Sequence, residues 1–136
     1  MSKYGAKKVV VDDITFDSKM ESEYYLYLKD KKDNGEIKDF ELQPQFELLP
    51  KFQKHGKTYR AMMYKADFKI EYLDGKVEII DVKGFTTSDF KLKEKLYNYK
   101  YEYPLLLITY SKKWGGWIEL DELARLRKEA KKSKRK

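Results

Sequence analysis

The pattern of apolar and polar positions predicts an α/β chain in which short strands alternate with helices. Apolar residues spaced three and four positions apart are typical of helices over about 17–34 and 89–101. Aromatic and β-branched runs predict strands at 9–16, 37–49, 59–80, 104–110 and 117–120, of which the first and third are hairpins. A helix separates the strands near 80 and 104, which therefore are expected to lie parallel in a right-handed crossover. A last helix is predicted to begin at Asp121 and to dissolve into a basic tail.

Local signals mark the ends of the first two helices. Ser18 followed by Glu21 fits a capping box, and Gly35 suits the end of the first helix. Thr87 or Ser88 is expected to cap the second. The expected inward-facing residues are Met20, Tyr24, Tyr27 and Leu28 in the first helix and Leu92, Leu96 and Tyr99 in the second.

The register of the second hairpin decides whether three charged residues meet. A three-residue loop at 73–75, with its glycine in the left-handed region, sets Asp67 opposite Asp81. A loop one residue shorter sets Asp67 opposite Val82, on the other face. Side chains alternate along a strand, so Asp81 shares its face with Lys83. The three-residue loop therefore predicts that Asp67, Asp81 and Lys83 lie together.

Two facing carboxylates favour a bound cation. Opposed Cβ atoms in a sheet are about 4.5–5.5 Å apart, and two negative charges at that distance repel each other in a half-buried site. A divalent cation between Asp67 and Asp81 removes the repulsion, which predicts a metal-ready cluster beside Lys83. An exposed, merely solvated strand face is the alternative, because an Asp-x-Lys sequence is common by chance.

The composition is that of one globular domain without cysteine chemistry. The 136 residues are 41% hydrophobic and 15% aromatic, enough for a buried core. No cysteine is present, and the single histidine, His55, excludes multi-histidine zinc sites. His55 lies in the polar segment 50–58, which is expected to be an exposed loop. No apolar run approaches the ~20 residues of a membrane span and no signal-peptide core is present, so a cytoplasmic location without a membrane partner is expected.

The positive charge is concentrated at the C-terminus. The chain carries a formal charge of +7. The last twelve residues, 125–136, hold eight basic side chains and one acidic side chain, which accounts for all of it. Such a tail suits nucleic acid, an anionic membrane surface or an acidic partner, or it only improves solubility. Of these partners, nucleic acid is favoured, because the hairpin contains the metal-ready cluster of Asp67, Asp81 and Lys83.

The order of helix, three strands, helix and strand, with an acidic residue in the first helix and Asp-x-Lys on the third strand, resembles the PD-(D/E)xK nuclease superfamily. Ala66 stands where the proline of that motif would precede Asp67. The chain is most similar to a phage-encoded branch catalogued as a domain of unknown function. The similar segments are ITFDSKMESEYYLYL at 14–28, GEIKDFELQPQFELL at 35–49, YKADF at 64–68 and DVKGF at 81–85. They span most of residues 4–110, and the segment after Tyr110 is outside the resemblance.

The resemblance implies a restriction-endonuclease-like fold with a magnesium site. The expected core is αβββαβ, a mixed sheet flanked by helices, with an N-terminal hairpin and a C-terminal helix added. Asp67 and Asp81 would bind Mg²⁺ directly, Mn²⁺ would substitute for it, and the backbone carbonyl of Val82 would add a ligand. Lys83 would orient or deprotonate the attacking water, or stabilise the developing negative charge.

Two further residues have roles that only the resemblance supports. Glu21 would lie in the outer shell of the metal or complete a second metal position, as a glutamate of the first helix often does in the superfamily. The alternatives are that Glu21 only caps the backbone of Ser18, or that Glu23 takes its place. Gln45 lies where related nucleases often carry a polar side chain near the site, and it is expected to reach DNA.

The expected partner is DNA, recognised by its structure. No base-reading motif such as a zinc finger is present, which favours branched DNA such as Holliday junctions or flaps. The residues expected to contact phosphates are Lys91 and Lys95, the N-terminal Lys3, Lys7 and Lys8, and Arg125, Arg127, Lys128, Lys131 and Lys132 of the tail. By analogy with junction resolvases, a homodimer is possible.

The function expected from these residues is that of a Mg²⁺-dependent DNA endonuclease in phage recombination or DNA processing, located in the host cytoplasm. Its single domain would span residues 1–124, with residues 125–136 as the basic tail. Two alternatives stay open. One is a non-catalytic DNA-binding or assembly module that keeps the fold, and the other is an RNA-directed nuclease of the same fold.

Overall fold

The computed structural model describes residues 7–134 and places eleven strands and three α-helices in them. The strands are β1 (Val9–Val11), β2 (Ile14–Phe16), β3 (Asp39–Leu42), β4 (Gln45–Leu49), β5 (Phe52–Lys54), β6 (Lys57–Tyr59), β7 (Met62–Lys65), β8 (Phe68–Glu71), β9 (Val77–Val82), β10 (Leu105–Ser111) and β11 (Gly116–Glu119). The helices are α1 (Lys19–Asp33), α2 (Ser88–Lys100) and α3 (Leu120–Lys134). Among these residues, no helix combines the length and the apolar content needed to cross a membrane.

A five-stranded mixed sheet forms the centre of the molecule, with the strand order β11-β10-β9-β8-β3. β9 and β10 are parallel and α2 connects them, as predicted, while the other neighbouring pairs are antiparallel. β1 and β2 form the predicted N-terminal hairpin, and its Asp12-Asp13 turn has both residues in the left-handed region, at φ 53° and 63°. The mixed α/β class is therefore confirmed.

The predicted helix caps are confirmed. The Ser18 hydroxyl oxygen accepts a hydrogen bond of 3.1 Å from the amide of Glu21, at the start of α1. The Thr87 hydroxyl oxygen accepts one of the same length from the amide of Phe90, at the start of α2. Gly35 follows α1 with a φ of 73°. Ser18 and Thr87 therefore mark the start of the two helices, and Gly35 follows the end of α1.

Apolar cores lie against both helices. Tyr24 and Leu28 of α1 belong to one cluster, and Phe90 and Tyr97 of α2 belong to the other. Of the predicted inward-facing residues of α2, Leu96 packs against its core cluster, but Leu92 is 51% exposed and Tyr99 is 92% exposed, so the prediction is wrong for these two. Phe90 and Tyr97 lie two helical turns apart, so their large rings are buried on one face of α2. Leu92 and Tyr99 therefore face solvent.

Two predicted continuous strands are each broken, and the breaks lie side by side. The chain leaves regular strand geometry at Gln43-Pro44 and at Ala66-Asp67. The amide of Gln43 donates to the carbonyl of Asp67 at 2.9 Å, and the amide of Ala66 donates to that of Pro44 at 3.0 Å. Gln43 has a φ of 50° and Pro44 has no amide proton, so neither continues a ladder. As a result β3 and β8 stay in the central sheet, whereas β4 and β7 form a separate ribbon.

The segment 50–58 is not the predicted loop. It contains the hairpin of β5 and β6, closed by His55-Gly56 with φ values of 51° and 75°. Two residues with positive φ form the tight turn that suits a two-residue hairpin. The prediction that His55 is exposed is confirmed.

α3 does not dissolve into a tail at Arg125. Leu123 is buried, and the helix continues to Lys134. Arg125 donates to Glu122 at 3.0 Å and to Glu129 at 2.8 Å, which ties together successive turns of the helix. Lys3 and the last two residues, 135–136, lie outside the described residues.

Candidate active site

The predicted register of the β8–β9 hairpin is confirmed. Phe68 pairs with Ile80, and the amide of Tyr72 donates to the carbonyl of Lys76 at 2.8 Å. The loop between that pair has three residues, and its last, Gly75, has a φ of 90°. If the same register continued by one residue, Asp67 would stand opposite Asp81.

Asp67 does not form a regular pair with Asp81, however. Its amide donates at 3.1 Å to the carbonyl of Ile80, the partner of Phe68, so two consecutive residues face one as in a β-bulge. Its side-chain Oδ2 accepts a hydrogen bond of 2.8 Å from the amide of Val82. The break before β8 therefore ties the Asp67 carboxylate directly to the Asp81-Val82-Lys83 segment.

Asp81 and Lys83 are held by neighbours on both sides. Asp81 is only 4% exposed, and its Oδ2 accepts a hydrogen bond from the hydroxyl of Tyr64. The Lys83 ammonium lies 3.3 Å from Oδ1 of Asp81 and 4.1 Å from the centre of the Phe90 ring. The carboxylate and the aromatic ring both stabilise the lysine cation at this position.

An open cavity of about 610 Å³ brings four of the candidate residues together. Its walls are formed by Asp17, Gln45, Met63, Tyr64, Lys65, Asp67, Asp81, Lys83, Thr87, Asp89, Phe90 and Lys93. Asp67, Asp81, Lys83 and Gln45 were predicted from the sequence. Tyr64 was missed, because a buried aromatic residue in a strand has the same pattern as an ordinary core residue.

The basic residues at the cavity differ from the predicted ones. Lys93 of α2 lines the cavity, whereas the predicted pair, Lys91 and Lys95, is exposed and is not part of its wall. The burial of Phe90 and Tyr97 decides which face of α2 lies at the cavity, and the spacing of apolar residues alone did not indicate it.

α3 packs on β10 and β11. None of the predicted phosphate contacts of α3 lines the cavity.

Glu21 does not line the cavity and is buried, with 5% of its surface exposed. Burial, together with the nearby negative charges of Asp17 and Asp81, raises its pKa to about 7, and the charge of Lys65 opposes that rise. The amide of Glu21 serves the helix cap, while its carboxylate interacts electrostatically with the site. The carboxylate also accepts a hydrogen bond from the backbone amide of Asp17, so a contact to the segment before α1 and a position near Asp81 occur together. Glu23 is exposed and lies 3.9 Å from Lys19, which places it on the surface.

The carboxyl groups of the site destabilise one another's charged forms. Burial raises the pKa of Asp67 above its ordinary value, and the negative charges of Asp81 and Glu21 raise it further. The hydrogen bond from the Val82 amide opposes this rise, because it favours the ionised carboxylate. Without a cation, the site favours a protonated Asp67.

The ligand set fits a magnesium ion that keeps part of its water shell. Within residues 7–134, no group of three or more His, Cys, Asp and Glu side chains has the geometry to hold a metal. Asp67 and Asp81 provide two carboxylates, which suits Mg²⁺ because this ion is usually bound by one or two carboxylates, waters and substrate phosphate. The Val82 amide donates to Asp67, and the carbonyl of a strand residue points to the same side as its amide, so the Val82 carbonyl lies on the Asp67 side of β9.

A family model matches residues 1–116 and is described as Protein of unknown function (DUF1064). The chain belongs to the DUF1064 family. No curated protein and no solved structure matches it. The match to the DUF1064 model contains every residue of the cavity wall and ends before α3.

Proposed function

We propose that this protein is a divalent-metal-dependent DNA endonuclease of the PD-(D/E)xK superfamily. The observation that carries the proposal is the joint position of Asp67, Asp81 and Lys83 on one open cavity. A protein that only binds nucleic acid gains nothing from two carboxylates that repel phosphate. A metal-assisted hydrolase needs both of them.

The order of elements supports the superfamily assignment. α1 is followed by β3, β8 and β9, then by α2 and β10, which corresponds to the αβββαβ core of the restriction-endonuclease-like fold. Asp67 precedes the second strand of that core and Asp81 lies in the third. The β4–β7 ribbon and the β5–β6 hairpin are inserted between the first and second core strands.

Mg²⁺ bound at Asp67, Asp81 and the Val82 carbonyl would polarise the phosphate and lower the pKa of a bound water. The chain's own groups prepare this site. Tyr64 fixes one oxygen of Asp81, and the Val82 amide fixes one oxygen of Asp67. Lys83 would orient the attacking water or stabilise negative charge on the phosphoryl oxygens, because its ammonium is held beside Asp81.

Lysines at the cavity support a phosphate-containing substrate. Lys65, Lys83 and Lys93 contribute to its wall, and Gln45 adds a neutral polar group. The cavity is open to solvent, so a long polymer can reach it. We propose branched DNA, as in a Holliday junction, as the substrate. A homodimer that cuts such a junction symmetrically and an origin in phage DNA processing stay predictions.

The proposal is tested by incubating the purified protein with labelled four-way junction and linear duplex DNA. Each substrate is tested with Mg²⁺, with Mn²⁺ and with a chelator. The variants are Asp81→Asn and, as a control with the same chemical change, Asp33→Asn at the exposed end of α1. We expect cleavage that depends on the metal and is faster on the junction than on the duplex. Asp81→Asn should abolish this cleavage, and Asp33→Asn should retain it.

Other outcomes would select a different function. Tight DNA binding without cleavage under either metal would support the binding or assembly module. Preferential cleavage of structured RNA in competition with both DNA substrates would support the RNA-directed nuclease. Cleavage by Asp81→Asn at the wild-type rate would contradict the proposed metal site.

A further inference from the structure

The β5–β6 hairpin is a basic arm that stands free of the rest of the molecule. Every residue from Lys51 to Arg60 is exposed, and this range contains four cationic side chains and no carboxylate. Within residues 7–134, none of those four cations forms an ion pair with a carboxylate. We name the segment from Lys51 to Arg60 the basic arm.

The arrangement of charge on the basic arm lacks an explanation within the protein itself. Lys54 and Lys57 are direct cross-strand partners next to the turn. Like charges directly opposite each other destabilise a hairpin, and a two-stranded hairpin is only marginally stable in water. An anionic partner offsets this repulsion.

Other contacts hold the basic arm in shape. The rings of Phe52 and Tyr59 stack with their centres 4.8 Å apart and an angle of 10° between their planes. On the other face, the side-chain amide of Gln53 donates through Nε2 to the hydroxyl oxygen of Thr58 at 3.0 Å. The basic arm is thus a preformed ribbon whose lysine and arginine side chains are available to a ligand.

The ribbon that carries the basic arm begins at the candidate active site. Gln45 and Lys65 pair at the first position of the β4–β7 ribbon, and both line the cavity. From Gln45 to the turn of the arm, the chain is long enough to extend about 30 Å at a rise of ~3.3 Å per residue.

The base of this ribbon is fastened to α2. The hydroxyl of Tyr101 and the ammonium of Lys100 donate to the carbonyl of Glu47 at 2.8 and 3.0 Å. The Glu47 carboxylate lies 3.7 Å from Lys100, so this acidic group of the ribbon is already partnered. Leu48 is buried in the core beside Tyr97. A fixed base positions the arm relative to the cavity.

We propose that the basic arm enters the major groove of a DNA duplex beside the bond that is cut. The major groove of B-form DNA is about 12 Å wide and admits a two-stranded β-ribbon, whereas that of A-form RNA is too deep and narrow for side chains to read. Both faces of the arm are exposed, as groove insertion requires. A second copy of the chain is a poorer partner, because symmetric pairing of two arms would bring together cationic surfaces.

This inference rests on the proposed function for the choice of DNA as the ligand, but its test needs no cleavage. Binding of the full chain to a labelled linear duplex is measured in chelator over a series of salt concentrations. The arm variant carries Lys51→Gln, Lys54→Gln, Lys57→Gln and Arg60→Gln. A matched variant carries Lys19→Gln, Lys32→Gln, Lys38→Gln and Lys76→Gln, which lowers the net charge equally by removing lysines that are already paired with carboxylates.

The arm variant is expected to bind the duplex at least about 10-fold more weakly, and its plot of log affinity against log salt is expected to be less steep by up to about 3.6 units, or about 0.9 for each of the four cations. The matched variant should keep a slope near that of the wild type. Thermal unfolding of both variants close to the wild-type temperature would show that the exposed changes leave the fold intact.

Equal affinity and slope for the arm variant and the wild type would overturn the inference. So would tighter, arm-dependent binding to duplex RNA, or a dimer in sedimentation that the arm variant loses. Arm-dependent DNA binding without cleavage would refute the proposed activity and leave only the binding of the arm to duplex DNA standing. If the protein cleaves DNA but its binding does not depend on the arm, this inference is refuted and the proposed endonuclease activity stands.

Discussion

The carboxylate of Asp67 accepts a hydrogen bond of 2.8 Å from the amide of Val82, the residue between Asp81 and Lys83. This bond joins the break before β8 to the strand that carries the other two charged groups. The geometry of the site therefore depends on a backbone contact as well as on side chains. A substitution at position 67 that keeps an acceptor can keep the structure while it removes the charge.

Asp67→Asn is expected to abolish metal-dependent cleavage without loss of DNA binding. The amide oxygen of asparagine can still accept from Val82, but the side chain no longer provides an anionic ligand. Binding should be equal or tighter, because one negative charge near phosphate is lost. Single-turnover cleavage and equilibrium binding in chelator measure the two effects. Wild-type cleavage by Asp67→Asn would refute the metal site, and Asp33→Asn controls for the change itself.

Lys83→Ala is expected to lower the single-turnover rate at saturating DNA by at least ~10²-fold. The ammonium lies beside Asp81 and over Phe90, so no other cation has the same position in the described structure. Lys76→Ala, in the exposed loop at the far end of β9, should retain the wild-type rate. A rate for Lys83→Ala within twofold of the wild type would assign this lysine a structural role only.

Glu21→Gln is expected to stabilise the metal-free protein at high pH. The pKa of Glu21 is raised from 4.5 to about 7, so the folded state binds this proton more tightly than the unfolded state. The stabilisation is present below about pH 4.5 and is lost as the pH rises through about 7. Above about pH 8, glutamine should raise the free energy of unfolding by up to about 3 kcal/mol, with no gain near pH 4.

Urea unfolding in chelator at both pH values checks this expectation. The control is Glu23→Gln, which changes an exposed glutamate of the same helix turn. Its free energy of unfolding should follow that of the wild type at both pH values. A Glu21→Gln protein that is less stable than the wild type at high pH would show that the ionised carboxylate stabilises the fold.

Tyr64→Phe is expected to lower the free energy of unfolding by about 1–3 kcal/mol, because it leaves a buried oxygen of Asp81 without its donor. Tyr72→Phe is the matched change. Its hydroxyl donates to Glu78 at 2.5 Å, but that carboxylate is only half-buried and water can replace the donor. Denaturant unfolding of both variants makes the comparison. An equal loss in both would mean that burial of Asp81 does not decide the effect.

The exposed cations of α3 are expected to contribute to DNA binding through phosphate contacts. Because α3 packs on the sheet through Leu123, substitution tests this better than truncation. The variant carries Arg127→Gln, Lys128→Gln, Lys131→Gln and Lys132→Gln, and leaves the Arg125 ion pairs in place. Its salt dependence should be less steep than that of the wild type, since fewer counterions are released. An unchanged slope would mean that α3 does not contact DNA.

Local sequence determined the caps, the turns and the register of the hairpin. Ser18 and Thr87 cap their helices with contacts only three residues away. Gly75 closes a three-residue loop, and this alone aligns β8 with β9. These features depend on neighbours along the chain, so composition and spacing were sufficient to predict them. The same register brought Asp67 close to Asp81, but the irregular contact of Asp67 with Ile80 and Val82 replaced the predicted direct pair.

Tertiary contacts decided which residues face the site. The paired breaks depend on hydrogen bonds between Gln43 and Asp67 and between Ala66 and Pro44, which are distant in sequence. The orientation of α2 depends on burial of Phe90 and Tyr97, which places Lys93 at the cavity. Each of these outcomes depends on which surfaces pack together, and a periodic pattern does not specify the partner of a face. The sequence thus indicated Asp67, Asp81 and Lys83, and the packing of the chain determined the groups that surround them.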